Sequence, residues 1–272
     1  MADELYGKVN YLVDIPLLIN ANIIEYDISK ANITMMLSYG LISLEEYNRF
    51  ANMDKITREV SIGRRIKNDT GTLTNDGIKI DKCIAKGIME SKRLLFESNH
   101  IPQEAIVRIA NDAVFVNNHI LQYTSFDLNN NGVLVTFKQK NQFNIMINLG
   151  LVTIFINDNP MNDSIEVDVK GINDSQLYKH QLFLEFVCNL LSNMQRSGKE
   201  TAIYLFSDFY SRYLNKELSV EYYREFNADS MYKFKLKPNY YLDFVSEKDK
   251  DNVDIEYNLS ILRKIYSAII DL

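Results

Sequence analysis

Tryptophan is absent from this chain, and proline and glycine are scarce, at 4 and 10 among 272 residues. So few chain-breakers leave no room for long Pro- or Gly-rich linkers. There are only two cysteines, Cys83 and Cys188, each inside an apparent helix. A disulfide scaffold is excluded, and two buried, inert thiols are expected. No long hydrophobic run occurs. The longest apolar stretch, "NIMINLGLVTIFIN", is interrupted by Asn148 and Gly150 and is too short and polar to span a bilayer. The first residues, "MADELYGKVNYLV", lack a basic region followed by an apolar one, so no signal peptide is expected. Together with the few cysteines, this predicts a cytoplasmic protein without membrane contact. An excess of positive charge is lacking too: the net charge is −6. Any nucleic-acid contact must therefore come from local patches.

Several catalytic signatures are also missing. "SGKET" lacks the upstream glycine of a phosphate-binding loop, and neither Gly-x-Ser-x-Gly nor His-Glu-x-x-His occurs. His100, His119 and His180 are scattered without zinc-ligand spacing.

What is present reads as an α+β protein. "NIIEYDI" is rich in β-branched and aromatic residues and predicts a strand. After Asp27 the period changes: Ile33, Met36, Leu37 and Leu41 recur at helical spacing, Ser29 is the expected cap and Gly40 the stop. Ser43 and Glu46 have capping-box spacing and predict the next helix. It runs into a basic cluster, Arg58, Arg64, Arg65 and Lys67. A polar loop with two turn signals leads to the helix "DKCIAKGIMESKRLLFESN", which Asp81 is expected to cap. Strands then dominate, from "AIVRIA" to "SIEVDVK", with the spacing of an antiparallel meander. From "DSQLYKH" onward the chain is mostly helical. The exception is "MYKFKLKP", where Tyr232, Phe234 and Leu236 alternate with Lys233, Lys235 and Lys237. The expected organisation is an antiparallel sheet with packed helices over residues 1–170, then a mostly helical region over 171–272.

Two acidic residues stand out. Asp27 lies where a strand hands over to a helix, and Asp112 lies in the Asn-Asp turn of "VRIANDAVFV". Each has an ordinary reading, as a helix-entry cap or a turn residue. If their strands are neighbours, the two carboxylates face each other, and Glu25, two residues before Asp27, shares its face. Carboxylates on adjacent strand ends are what two-metal phosphoryl transfer needs.

In this order and local context, "IEYDISKANI" and "RIANDAVFV" resemble the first and third motifs of the palm domain of template-dependent polymerases, nearest to the family-B form. The resemblance covers roughly residues 20 to 120. It departs from that family in three ways: Ala31 and Asn32 stand where an aromatic gates the sugar, the third motif has one Asp where family B has two, and the Lys-x-x-x-Asn-x-x-x-Tyr-Gly helix is missing. The resemblance implies a reduced, phage-type palm that binds nucleic acid or nucleotide through Mg2+ or Mn2+ and carries out nucleotidyl transfer. Asp27 and Asp112 would be catalytic and hold metal with Glu25, while Arg58, Arg64, Arg65 and Lys67 would hold phosphates. The alternative is a catalytically inactive phage factor that binds a host protein or nucleic acid.

Overall fold

The computed structural model describes residues 5–69, 77–99, 101–117, 125–150, 152–159, 161, 164–227 and 233–272. It divides into two compact units. One comprises residues 1–13 and 22–142, the other 14–21 and 143–272. The boundary expected near Gly171 thus falls inside the second unit, because the later strands join a different sheet from the earlier ones. Residues 118–124, part of an expected strand, lie outside the described residues, as do most of the polar loop before the long helix and the histidines at 100 and 119.

In the first unit, β1 (Tyr11–Leu12), β3 (Ile23–Ile28), β4 (Ile106–Ile109), β5 (Ala113–Asn117), β6 (Ser125–Asn130) and β7 (Val133–Phe143) form one sheet. Its order is β1-β4-β5-β3-β7-β6. β3 is therefore central, and its alternation decides its two faces. Ile24, Tyr26 and Ile28 join a core with Ile88, Phe96 and Phe137. Glu25 and Asp27 fall on the opposite face. The helices are α1 (Ala31–Ser38), α2 (Leu44–Ala51), α3 (Lys55–Lys67) and α4 (Ile80–Asn99). α1 and α4 approach closely at Gly87, where a Cβ would stand 2.6 Å from Met35 Sδ and 2.9 Å from the Tyr39 ring.

One expected cap is replaced and another is shared. The residue that enters α1 is Lys30, in the left-handed conformation at φ 53°, and it makes no side-chain cap bond. The Ser29 N–H donates to the Thr136 carbonyl, which keeps Ser29 in the extended backbone of the sheet, so the helix starts one residue later. At α4, the Ile80 N–H donates to Asp69 Oδ2 at 2.6 Å, from eleven residues upstream, and the Lys82 N–H donates to Asp81 Oδ1 at 2.9 Å, so two carboxylates share the first turn. The α2 capping box is present in both halves. Glu46 N–H donates to Ser43 Oγ at 3.1 Å, and Ser43 N–H donates to Glu46 Oε2 at 3.0 Å. Ser43→Ala is expected to cost about 1 kcal/mol in urea unfolding, with the m-value unchanged.

The second unit has a sheet of order β10-β9-β8-β2, from β2 (Leu17–Leu18), β8 (Ile145–Asn148), β9 (Thr153–Asn159) and β10 (Ser164–Lys170). Its helices are α5 (Gln181–Ser197), α6 (Lys199–Leu214) and α7 (Glu256–Ile270), with a ribbon of β11 (Phe234–Leu236) and β12 (Tyr240–Leu242). α5 ends at Gly198, which takes φ 92° between α5 and α6. Its core includes Ile147, Ile156, Val187, Leu191, Tyr213 and Ile265. "SVEYYREFN" makes one 3-10 turn at Val220–Tyr223. Two of the three alternating lysines are tied down: Lys233 lies 3.6 Å from Asp243, and Lys235 lies 3.3 Å from Asp254. Cys83 and Cys188 are buried and form no disulfide. Among the described residues, no helix is long and apolar enough to cross a membrane.

Candidate functional site

β3 and β5 are direct antiparallel neighbours, with Asp27 opposite Ala113. The pairing extends one step further, where Ile28 N–H donates to the Asp112 carbonyl at 3.0 Å. The end of β3 and the Asn111–Asp112 turn therefore meet, and both aspartates line one cleft of about 550 Å³. Burial raises the Asp27 carboxyl above the usual range, and the neighbouring Asp112 charge raises it further, with Lys140 opposing and Glu25 adding to the rise. Asp27 Oδ1 is buried and has no hydrogen-bond partner among the described residues.

The rest of the cleft is mainly cationic. Lys30, Lys55, Arg58, Lys138 and Lys140 line it together with three carboxylates, Asp27, Glu59 and Asp112. Three separate elements supply these cations. Lys30 stands at the entry to α1, Lys55 and Arg58 are on the first turns of α3, and Lys138 and Lys140 share a face of β7. Glu59 is occupied by Asn32 Nδ2 at 2.8 Å and by Arg58 at 3.7 Å.

The expected phosphate-binding residues separate. Arg58 lines the cleft, whereas Arg64, Arg65 and Lys67 are not among the residues that do. Arg65 donates instead to Glu46 Oε1 at 3.1 Å and to the Leu41 carbonyl at 2.8 Å, which ties α3 to α2. Arg64 and Lys67 are exposed. The helical period accounts for this, since Arg58 and Arg65 are separated by two turns of α3 and Arg64 points elsewhere on the circumference.

Glu25, expected as a third metal ligand, is buried beneath the cleft and already engaged. Its Oε2 accepts from Asn141 Nδ2 at 2.6 Å. Its Oε1 lies 3.7 Å from Lys140 Nζ, which is also 3.7 Å from Asp27 Oδ2. Lys140 thus stands as a tethered cation between the two acids. Among the described residues, no group of three or more His, Cys, Asp or Glu side chains is arranged to hold a metal ion. Of the three expected ligands, Asp27, with its unpartnered Oδ1, and Asp112 line the cleft, and Glu25 does not. Mg2+ often takes only one or two protein carboxylates and completes its shell with water and phosphate.

Four of the five cations lining the cleft lie outside the basic cluster marked in the sequence. The Lys138/Lys140 alternation in "FKQKNQF" was a usable signal, as two lysines on one strand face. Lys30 and Lys55 gave none, because nothing local brings a helix entry and a distant helix to the same strand.

A family model described as Bacteriophage PBS1 gene 130 protein matches residues 1–271. The chain belongs to this family. It is a phage protein, as expected, and the match gives no support to a polymerase palm. No curated protein matches the sequence. The description of the PBS1 gene 130 family states no activity.

Proposed function

We propose that this cleft binds the phosphate of a nucleotide or nucleic acid with the help of Mg2+ or Mn2+, in the manner of a reduced polymerase-like palm, and that it carries out nucleotidyl transfer. The observation that carries this reading is the buried, unpartnered Asp27 oxygen beside Asp112 in a cleft whose other walls are cationic. A divalent ion bound there would neutralise phosphate oxygens. The protein's own groups do the rest. Asp27 and Asp112 hold the cation side. Arg58 offers a planar fork to phosphate, and Lys30, Lys55 and Lys138 offer point charges. Lys140 offsets the acids before any ligand arrives.

Mn2+ binding in the presence of a nucleoside triphosphate tests this directly. Asp27→Asn and Asp112→Asn are each expected to weaken Mn2+ binding about tenfold or more, and to abolish Mg2+- or Mn2+-dependent primer extension. No extension by the wild type on any template, with Mn2+ binding unchanged in both variants, would refute the reading.

Lys140 favours a second reading. A lysine fixed between Glu25 and Asp27 already supplies the positive charge there, which suits a non-enzymatic phage factor that binds nucleic acid or a host protein. Nucleic-acid binding that survives EDTA and both Asp→Asn changes would select it.

A further inference from the structure

Lys92 lies on α4, on a face whose neighbours Ile84, Ile88, Leu95 and Phe96 are apolar core residues. It is 0% exposed. A core position of this kind normally takes leucine or isoleucine, because an ammonium is costly to bury unless each of its donors is used. All three donors of Lys92 are used. Its Nζ donates to the carbonyls of Ala110 at 2.7 Å, Asn111 at 2.8 Å and Val9 at 3.3 Å. The first two acceptors immediately precede Asp112. The next carbonyl, that of Asp112, accepts from Ile28 N–H at 3.0 Å, and the Ala110 N–H closes the turn on the Ala113 carbonyl at 2.9 Å. Three successive carbonyls of the turn are therefore bound from outside it, two by α4 and one by β3, the strand that carries Asp27.

We infer that Lys92 is a positioning residue, which clamps the Asn111–Asp112 turn from beneath so that the Asp112 carboxylate is held at a fixed place beside Asp27. The functional part of this inference rests on the proposed role of Asp112; the clamp itself does not. A lysine suits the task because its stem crosses the core from the helix and its head meets three carbonyls in different directions. A leucine would fill the volume and leave those carbonyls unbonded.

Lys92→Met keeps the stem and removes the ammonium, and Lys92→Gln keeps one donor group. Amide hydrogen exchange on the full chain is the first readout. Exchange at residues 110–113 is expected to rise about tenfold or more in Lys92→Met and less in Lys92→Gln, with the α5 and α6 amides unchanged. Mn2+ affinity is the second, because a purely structural role would not move it in the folded protein. Lys92→Met is expected to weaken Mn2+ binding about tenfold, and to add nothing further in an Asp112→Asn background.

Unchanged exchange at 110–113 in folded Lys92→Met would overturn the clamp. So would failure of both variants to fold, since Lys92 would then serve the core as a whole. If the wild type binds Mn2+ and Lys92→Met binds it equally well, the link to the site is overturned while the site stands. If the wild type binds no Mn2+, the proposed function falls, and the exchange result alone decides the clamp.

Discussion

Arg196→Ala is expected to destabilise the second unit by about 3 kcal/mol. The Asp158 side chain on β9 is fully buried, while Arg196 on α5 keeps 36% of its side chain exposed. Arg196 Nε donates to Asp158 Oδ2 at 3.0 Å, and Nη2 donates to the other oxygen, giving a two-pronged pair. Asn144 brackets the Asp158 backbone, accepting from its N–H at 2.9 Å and donating to its carbonyl at 2.7 Å. Removing the guanidinium strands a carboxylate that the backbone contacts hold in place. The exposed arginine head lets some water reach the gap, which sets the cost near the lower end for a broken buried pair. Urea unfolding followed by far-UV circular dichroism measures the loss. Asp158→Asn in the Arg196→Ala background is expected to recover more than half of it, because the stranded charge is then gone. Equal loss in the single and double variants would show that packing of the arginine stem, not the charge, was responsible.

Acid is expected to weaken the same unit through His180. This imidazole is buried edge-on against Phe226, with ring centroids 4.9 Å apart. Burial first, then the Arg224 and Lys179 charges, push its pKa down to about 4. Arg224 is itself nearly buried and paired with Glu221 at 2.9 Å. In the unfolded chain the imidazole titrates near the ordinary value of about 6.5. The folded state thus binds its proton later than the unfolded state as pH falls. The stability linked to His180 is full above pH ~6.5 and is lost progressively as pH drops toward about 4, to a total of about 3 kcal/mol. Stability measured at steps between pH 7 and 4 should decline with a slope approaching one proton. His180→Leu should flatten that part of the profile by the same amount. Carboxylates such as Asp254, held low by the Glu256 N–H and by Lys235, add their own decline only at the acid end. An identical slope in His180→Leu across pH 6.5 to 4.5 would remove the imidazole as its source.

Local features were readable before any fold was known. "NIIEYDI" has the composition of a strand, and β3 occupies Ile23–Ile28. Ser43 and Glu46 close their capping box because both partners lie within one turn. The amphipathic pattern of the last segment folds as α7, Glu256–Ile270, with Leu259, Leu262, Ile265 and Ile269 buried. What could not be read were choices between equivalent partners. Ser29 is a better cap than Lys30 by residue type, yet its backbone pairs across the sheet and α1 begins one residue later. Asp81 accepts from Lys82, yet Asp69, far upstream, takes the Ile80 N–H.

The candidate site divides along the same line. That Asp27 stands near the end of a strand and Asp112 in a turn follows from periodicity and turn chemistry over a few residues. That β3 lies between β5 and β7 depends on pairing across the whole sheet. That order brings the two aspartates to one cleft and sets Lys140 between Asp27 and Glu25. It also gives Lys92 its meaning, because a lysine within an apolar helix face reads as an exception until the carbonyls it binds are known. The physical reason is range. Periodicity and capping act within a turn or two of chain, whereas strand order is selected by burial summed over the whole sheet, which no short stretch encodes.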